Sequence, residues 1–308
     1  MRIASPFALV AAIFACAAFA APAYAQRDRV FVASYGSDSN PCTYGSPCKT
    51  FQQAVNVVAP GGEVTAIDSA GFGPVTISQS VSITSPNGVE AGIAAAAGGT
   101  AITITGDSNV WLRGLTLEGA NSAAYGIEGE AVGQLSIDNC IIRDYTGAGI
   151  VVNSIDTAQV TITNSRISHA PYGIYVNTPS NGQTFLTLDN VVVTSSTDGL
   201  IEGTTGAIAY VSVSNSDFSH NANAISVGGA SGLLATLYLY NVVFNDNNAV
   251  VNISNYSNVL LSRVNDMESS SGLYFSGSTG VDAISDGTSH VALSGPNAPA
   301  NLGSYTLR

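Results

Sequence analysis

Five short phrases return along the chain at an almost fixed interval. "LSIDN" ends at Asn139, "VTITN" at Asn164, "LTLDN" at Asn190, "VSVSN" at Asn215 and "LYLYN" at Asn241, in steps of 25 or 26 residues. Weaker copies flank them, "VWLRG" ending at Gly114 and "VLLSR" at Arg263. A second marker keeps the same phase: Gly126-Ile127, Gly149-Ile150, Gly173-Ile174, Gly199-Leu200, Ala224-Ile225, Ala249-Val250 and Gly272-Leu273. A period in the twenties predicts a solenoid, in which one unit cannot bury its apolar face alone and stacking creates a continuous core.

The content of the unit selects the kind of solenoid. Leu112, Ile137, Ile162, Leu188, Val213, Leu239 and Leu261 precede the marker by two residues, and Leu117, Ile142, Ile167, Val193, Phe218 and Phe244 follow it by three. Alternating runs rich in Val, Ile, Thr and Tyr read as strands. A leucine-rich repeat has a similar phrase and length, but the leading Leu-x-x-Leu is missing and no segment between units has helical spacing. Each unit therefore reads as one coil of a parallel β-helix with three short strands, like residues stacking about 4.8 Å apart. The asparagines are expected to form a ladder in which each side-chain amide bonds the next. The glycines are expected where a turn needs positive φ.

Charged residues make up 10% of the 308, with 9 basic against 21 acidic and a net charge of -12, which argues against nucleic acid as a partner. So little charge with 32 glycines is compatible with disorder, but a hydrophobic content of 45% predicts a buried core. Arg2, the apolar run from Phe7 to Ala20 and the small residues Ala23-Tyr24-Ala25 have the layout of a cleaved signal peptide over residues 1–25. The expected destination is secreted or periplasmic, with no membrane span after cleavage, because no later apolar run is long enough. Cys42 and Cys48 bracket the loop "CTYGSPC" and are expected to pair there. Cys140 reads as a small buried residue, and the scattered cysteine and histidines give no metal site.

Residues 26–62 read as the cover of the first coil: a leading strand at "RVFVAS", the disulfide loop, and an amphipathic helix at "TFQQAVNVV" with Thr50 as N-cap and Gly61-Gly62 closing it. Residues 63–308 read as the β-helix with a C-terminal cap after about Ser285. From about residue 60 to 295 the chain resembles the right-handed parallel β-helix proteins of the pectin lyase-like superfamily. The opening "NPCTYGSPCKTFQQA" resembles that of secreted bacterial members. The resemblance implies an all-β, single-stranded right-handed parallel β-helix with a short N-terminal capping helix. It does not specify an activity, since such scaffolds carry unrelated functions.

Characterised enzymes of that superfamily mostly cleave acidic polysaccharides. "STDG" at Ser196–Gly199 resembles the first motif of polygalacturonase-like hydrolases, but their Asp-Asp, Gly-His-Gly and Arg-x-Lys motifs are absent and a lone carboxylate cannot perform two-group chemistry. Lyase-like chemistry, with calcium as its cofactor, needs clustered carboxylates and an arginine base. The stacked register offers Arg113, Glu118, Asp138, Arg143 and Asp144 as that catalytic set; exposed ion pairs between coils are the plainer explanation. A further column, Asp144, His169, Ser195, His220 and Asp246, imitates a nucleophile with flanking bases, though small polar turn residues also look like this. Two outward strand columns offer a binding face through Trp111, Thr161, Thr187, Tyr238 and Tyr240, where hydroxyls and aromatic rings suit sugar; an ordinary solvated strand face, with Thr and Tyr as good strand formers, is the plainer explanation. The leading expectation is a non-catalytic exported protein without a cofactor that binds polysaccharide or serves a structural or adhesive role. A polysaccharide lyase or hydrolase is the rival.

Overall fold

The computed structural model describes residues 27–154, 157–177, 182–202, 208–227, 235–254, 257–275, 281–297 and 303–304; the signal-like stretch 1–25 lies outside them. Among the described residues, strands form three sheets of 12, 9 and 10 members, here the first, second and third sheet in the order a coil visits them. Every named pairing is parallel. One coil shows the plan: Gln134–Asp138 in the first sheet, a corner at Asn139, Ile141–Arg143 in the second, a corner at Asp144, and Ala148–Val152 in the third. The chain then crosses to Ala158–Thr163, in register with Gln134–Asp138.

The alternation read from the sequence is the alternation of the walls. Leu135, Ile137, Val160, Ile162, Leu186 and Leu188 point inward from the first sheet and are at most 1% exposed. Ile142, Ile167, Val193, Phe218 and Phe244 close the core from the second, and Ile127, Ile150, Ile174, Leu200 and Ile225 from the third. Successive side chains of a strand face opposite ways, so each inward column is continuous and its outward neighbours are free to vary.

Both corners are single residues in the left-handed region. Asn139, Asn164, Asn190, Asn215 and Asn241 have φ of 50 to 55°. So do Asp144, His169, Ser195, His220 and Asp246, at 51 to 65°. Asn, Asp and His tolerate this conformation better than other residues with a Cβ. The asparagines stand in single file, but the ladder is mixed. Asn190 Nδ2 donates to Asn164 Oδ1 at 2.8 Å and Asn241 Nδ2 to Asn215 Oδ1 at 2.8 Å, whereas Asn164 and Asn215 donate to Asp138 and Asp189 at 2.7 Å. A carboxylate one residue before the corner competes for the amide because charge-assisted hydrogen bonds are stronger.

The marker glycines are not turn residues, a correction to the sequence reading. Gly126, Gly149, Gly173 and Gly199 lie inside third-sheet strands without positive φ. A Cβ on Gly173 would come 2.4 Å from the Gly199 carbonyl oxygen and 2.6 Å from Val193 Cγ1. Close packing of successive coils, not backbone freedom, selects glycine there.

The N-terminal cover follows from unpaired strand edges. Strand β1 (Arg27–Val32) pairs with β2 (Val58–Ala66), and its other edge is taken by the loop closed by the Cys42–Cys48 disulfide: Phe31 N donates to Cys42 O at 2.9 Å and Cys48 N to Phe31 O at 3.0 Å. Thus the loop satisfies an edge that would otherwise stay open. Helix α1 (Phe51–Val57) has Thr50 as N-cap, accepting from Gln53 N, and buries Phe51, Ala54 and Val55, with Phe51 against Phe72. Gly61-Gly62 do not close it: the chain leaves α1 at Val57 straight into β2, and the Val58 N–H bonds Ala54 O. At the far end Leu293–Ser294 and Gly303–Ser304 extend the third and first sheets.

Candidate functional site

The five charged candidates do not form one site. Arg113 and Asp138 lie on the outer face of the first sheet, Nε to Oδ2 at 3.3 Å. Arg143 lies on the second sheet, 3.4 Å from Glu118 Oε2 and 3.8 Å from Asp144 Oδ2. The asparagine corner divides the two groups. Asp138 also accepts from Thr163 Oγ1 at 2.9 Å and Asn164 Nδ2 at 2.7 Å, and Asp144 lies 3.6 Å from His169 Nδ1. All three carboxylates are engaged by neighbouring coils.

Calcium needs several converging oxygen ligands. Among the described residues no group of three or more His, Cys, Asp or Glu side chains converges, and the candidate carboxylates are taken up separately, so the residues present do not fit such an ion. Asp198, the carboxylate of "STDG", is buried and accepts from Asn223 Nδ2 at 2.9 Å and Ser226 Oγ at 2.7 Å. The imitation triad does not assemble either: Ser195 Oγ has Thr194 Oγ1 at 3.4 Å, while His169 and His220 turn to Asp144 and Asp246. Its residue types have a backbone explanation in the left-handed corner.

The outward columns fall where the register places them. Trp111, Ser136, Thr161, Thr187, Ser212 and Tyr238 are successive partners across the first sheet, with Arg113, Asp138, Thr163, Asp189, Ser214 and Tyr240 beside them. Trp111 is 41% exposed and Tyr238 45%. A hollow of about 440 Å³ beside Trp111 is lined by Ser82, Thr84, Arg113, Ser136 and Asp138. Tyr240 carries Arg263 over its ring at 5.5 Å, and Arg263 Nη1 donates to the phenol oxygen at 3.0 Å.

Two rings of this face escaped the sequence reading. Phe185 and Tyr210, in register one column earlier, stack with centroids 5.1 Å apart and planes within 6°. They immediately precede the aligned phrases, so extending these by one residue would have found them. Also missed was a buried amide pair inside the second corner: Asn221 N and Nδ2 donate to Asn247 Oδ1 at 3.0 and 3.2 Å.

A family model for "Right handed beta helix region" matches residues 64–211. No curated protein sequence matches the chain. Solved structures share the architecture. Pectate lyase Pel9A is 13% identical with a TM-score of 0.62 over 91% of this chain and 80% of its own. A rhamnogalacturonan lyase is 12% identical with a TM-score of 0.62 over 91% and 86%. The polygalacturonase of Erwinia carotovora ssp. carotovora is 12% identical with a TM-score of 0.60 over 91% and 92%. At such identities the likeness is one of fold. Three parallel sheets, single-residue corners and this match together identify the fold as a right-handed parallel β-helix, the architecture shared with those two lyases and the polygalacturonase.

Proposed function

We propose that the chain is an exported, non-catalytic β-helix protein that binds extracellular or cell-surface polysaccharide through the outer face of its first sheet. The observation that carries this reading is the exposure of Trp111, Phe185, Tyr210, Tyr238 and Tyr240 on one sheet face among small hydroxyl residues. Large rings left in water cost solvation that a sugar's apolar face would recover, and their polar edges can still hydrogen-bond. Export is supported by the signal layout of residues 1–25 and by the disulfide, which persists in oxidising compartments. Among the described residues no helix is long and apolar enough to cross a membrane.

Electrophoresis through gels carrying immobilised glycans tests the reading. At least one glycan should retard the protein, and less so after Trp111→Ala; equal mobility on every glycan removes it. The shared fold of the lyases and the polygalacturonase supports a second reading, cleavage of acidic polysaccharide at Arg143, Glu118 and Asp144. Ultraviolet absorbance of an unsaturated product, dependent on calcium and lost in Arg143→Ala, would establish that reading instead.

A further inference from the structure

We infer that the outer face of the first sheet takes a neutral, linear glycan laid along the solenoid axis, one sugar stacked on Trp111 and another on Tyr238. This rests on the reading of that face as a polysaccharide-binding surface and adds the ligand's direction, length and charge.

Direction comes from the register. Trp111 and Tyr238 are in one column, separated by Ser136, Thr161, Thr187 and Ser212. The intervening residues are small, so both rings rise above a low hydroxylated floor. Phe185 and Tyr210 repeat the direction beside them, two stacked, nearly parallel rings advancing one coil. A ligand crossing the face along a strand would reach only one of the two terminal rings.

Length comes from the coil spacing. Five strand steps of about 4.8 Å separate the terminal rings by about 24 Å, and an extended 1,4-linked pyranose chain advances by nearly one such step per sugar, so about six sugars bridge them. The hollow beside Trp111 supplies hydroxyls from Ser82, Thr84 and Ser136 at the first ring.

Charge comes from the committed side chains. Arg113 is held by Asp138, and Arg263 by the ring and hydroxyl of Tyr240. Asp189 accepts from Ser214 Oγ and Asn215 Nδ2, both at 2.7 Å, with no cation against it among the described residues. The two arginines and two aspartates balance, so the face offers a polyanion no net positive charge, and the chain's net charge of -12 opposes its approach.

Calorimetric titration of the mature full chain with cello-, xylo- and manno-oligosaccharides of increasing length, alongside oligogalacturonates, tests the inference. For one neutral series, affinity should climb to about six sugars and then level. Trp111→Ala and Tyr238→Ala should each weaken the longest oligomer by roughly tenfold, as truncated aromatic anchors do. Trp111→Phe should retain most of the affinity, and Tyr172→Ala on the third sheet all of it. Preference for oligogalacturonates, affinity independent of length, or indifference to Trp111→Ala would overturn the inference and leave glycan binding standing. No binding of any series would overturn both.

Discussion

Glu202 occupies a position that most other coils give to an aliphatic residue. Its strand, Asp198–Glu202, lies between Tyr172–Val176 and Asn223–Val227 in the third sheet. The inward column runs through Ile104, Gly129, Val152 and Val176 to Glu202; the next strand, in which Ser226 pairs with Ile201, continues the register with Val227, which pairs with Ile253. The residue is 5% exposed, and neither carboxyl oxygen has a hydrogen-bond partner among the described residues. Among the described residues no cation pairs with it, and the stretches 178–181, 203–207 and 228–234, which follow these three strands in the sequence, contain no ionisable side chain. Burial pushes the carboxyl pKa from 4.5 up to about 8.

The consequence for stability has a definite sign. Between these two pKa values the folded chain holds a proton that the unfolded chain has released, so stability falls as pH rises. The loss is about 1.4 kcal/mol per pH unit, reaching about 3 kcal/mol at pH 7 and about 5 kcal/mol above pH 8. That is a large part of the 5–15 kcal/mol typical of a whole domain. Glu202→Val installs the residue type of Val176 and Val227 and removes the linkage. The variant should therefore match or modestly exceed the parent in acid and surpass it by several kcal/mol near pH 9. Urea midpoints near pH 5 and pH 9 measure the difference. Because repeat arrays can open piecewise, amide exchange within Asp198–Glu202 provides the local readout. An identical pH dependence in parent and variant would refute the reasoning, since a proton held by Glu202 cannot survive its removal.

Other consequences follow from the coil geometry. Gly173→Ala should cost about 2–3 kcal/mol in urea unfolding, because its new Cβ meets the Gly199 carbonyl with no room to shift. Asn190→Gly should cost about 1 kcal/mol for the lost bond to Asn164, and Asn190→Ala about 1 kcal/mol more for holding an alanine at φ 55°. Cys140 is buried, its thiol pushed up to about 11 by desolvation, so it should resist alkylation in the folded chain and react once unfolded, as mass spectrometry would register. Arg143→Ala should change stability by less than about 1 kcal/mol, since Arg143 and Glu118 are exposed and Asp144 is only half-buried.

What could be read from the sequence was what alternation and period fix jointly. The inward columns, the in-register Asn139, Asn164 and Asn190, the cap helix and the outward face all follow once two dozen residues are taken as one turn of wall. The glycine markers were misassigned because two different demands choose the same residue. Positive φ and the close approach of a neighbouring carbonyl both exclude a side chain, and only coordinates separate them. The Asp144, His169 and Ser195 column, whose reading as turn residues the corners bear out, imitated a catalytic set for the converse reason. The short polar side chains that tolerate a left-handed corner are also the types that carry proton-transfer chemistry, so a stack of corners spells out a catalytic vocabulary with no catalysis implied. In a solenoid, the residue types at a bend therefore carry little functional information by themselves. More informative are the positions that break their own column without a backbone reason: Glu202 in a mostly aliphatic column, Trp111 and Tyr238 among serines and threonines. Under the proposed polysaccharide-binding reading, such departures are the first residues to vary, because local rules tend to be broken at functional or strained positions.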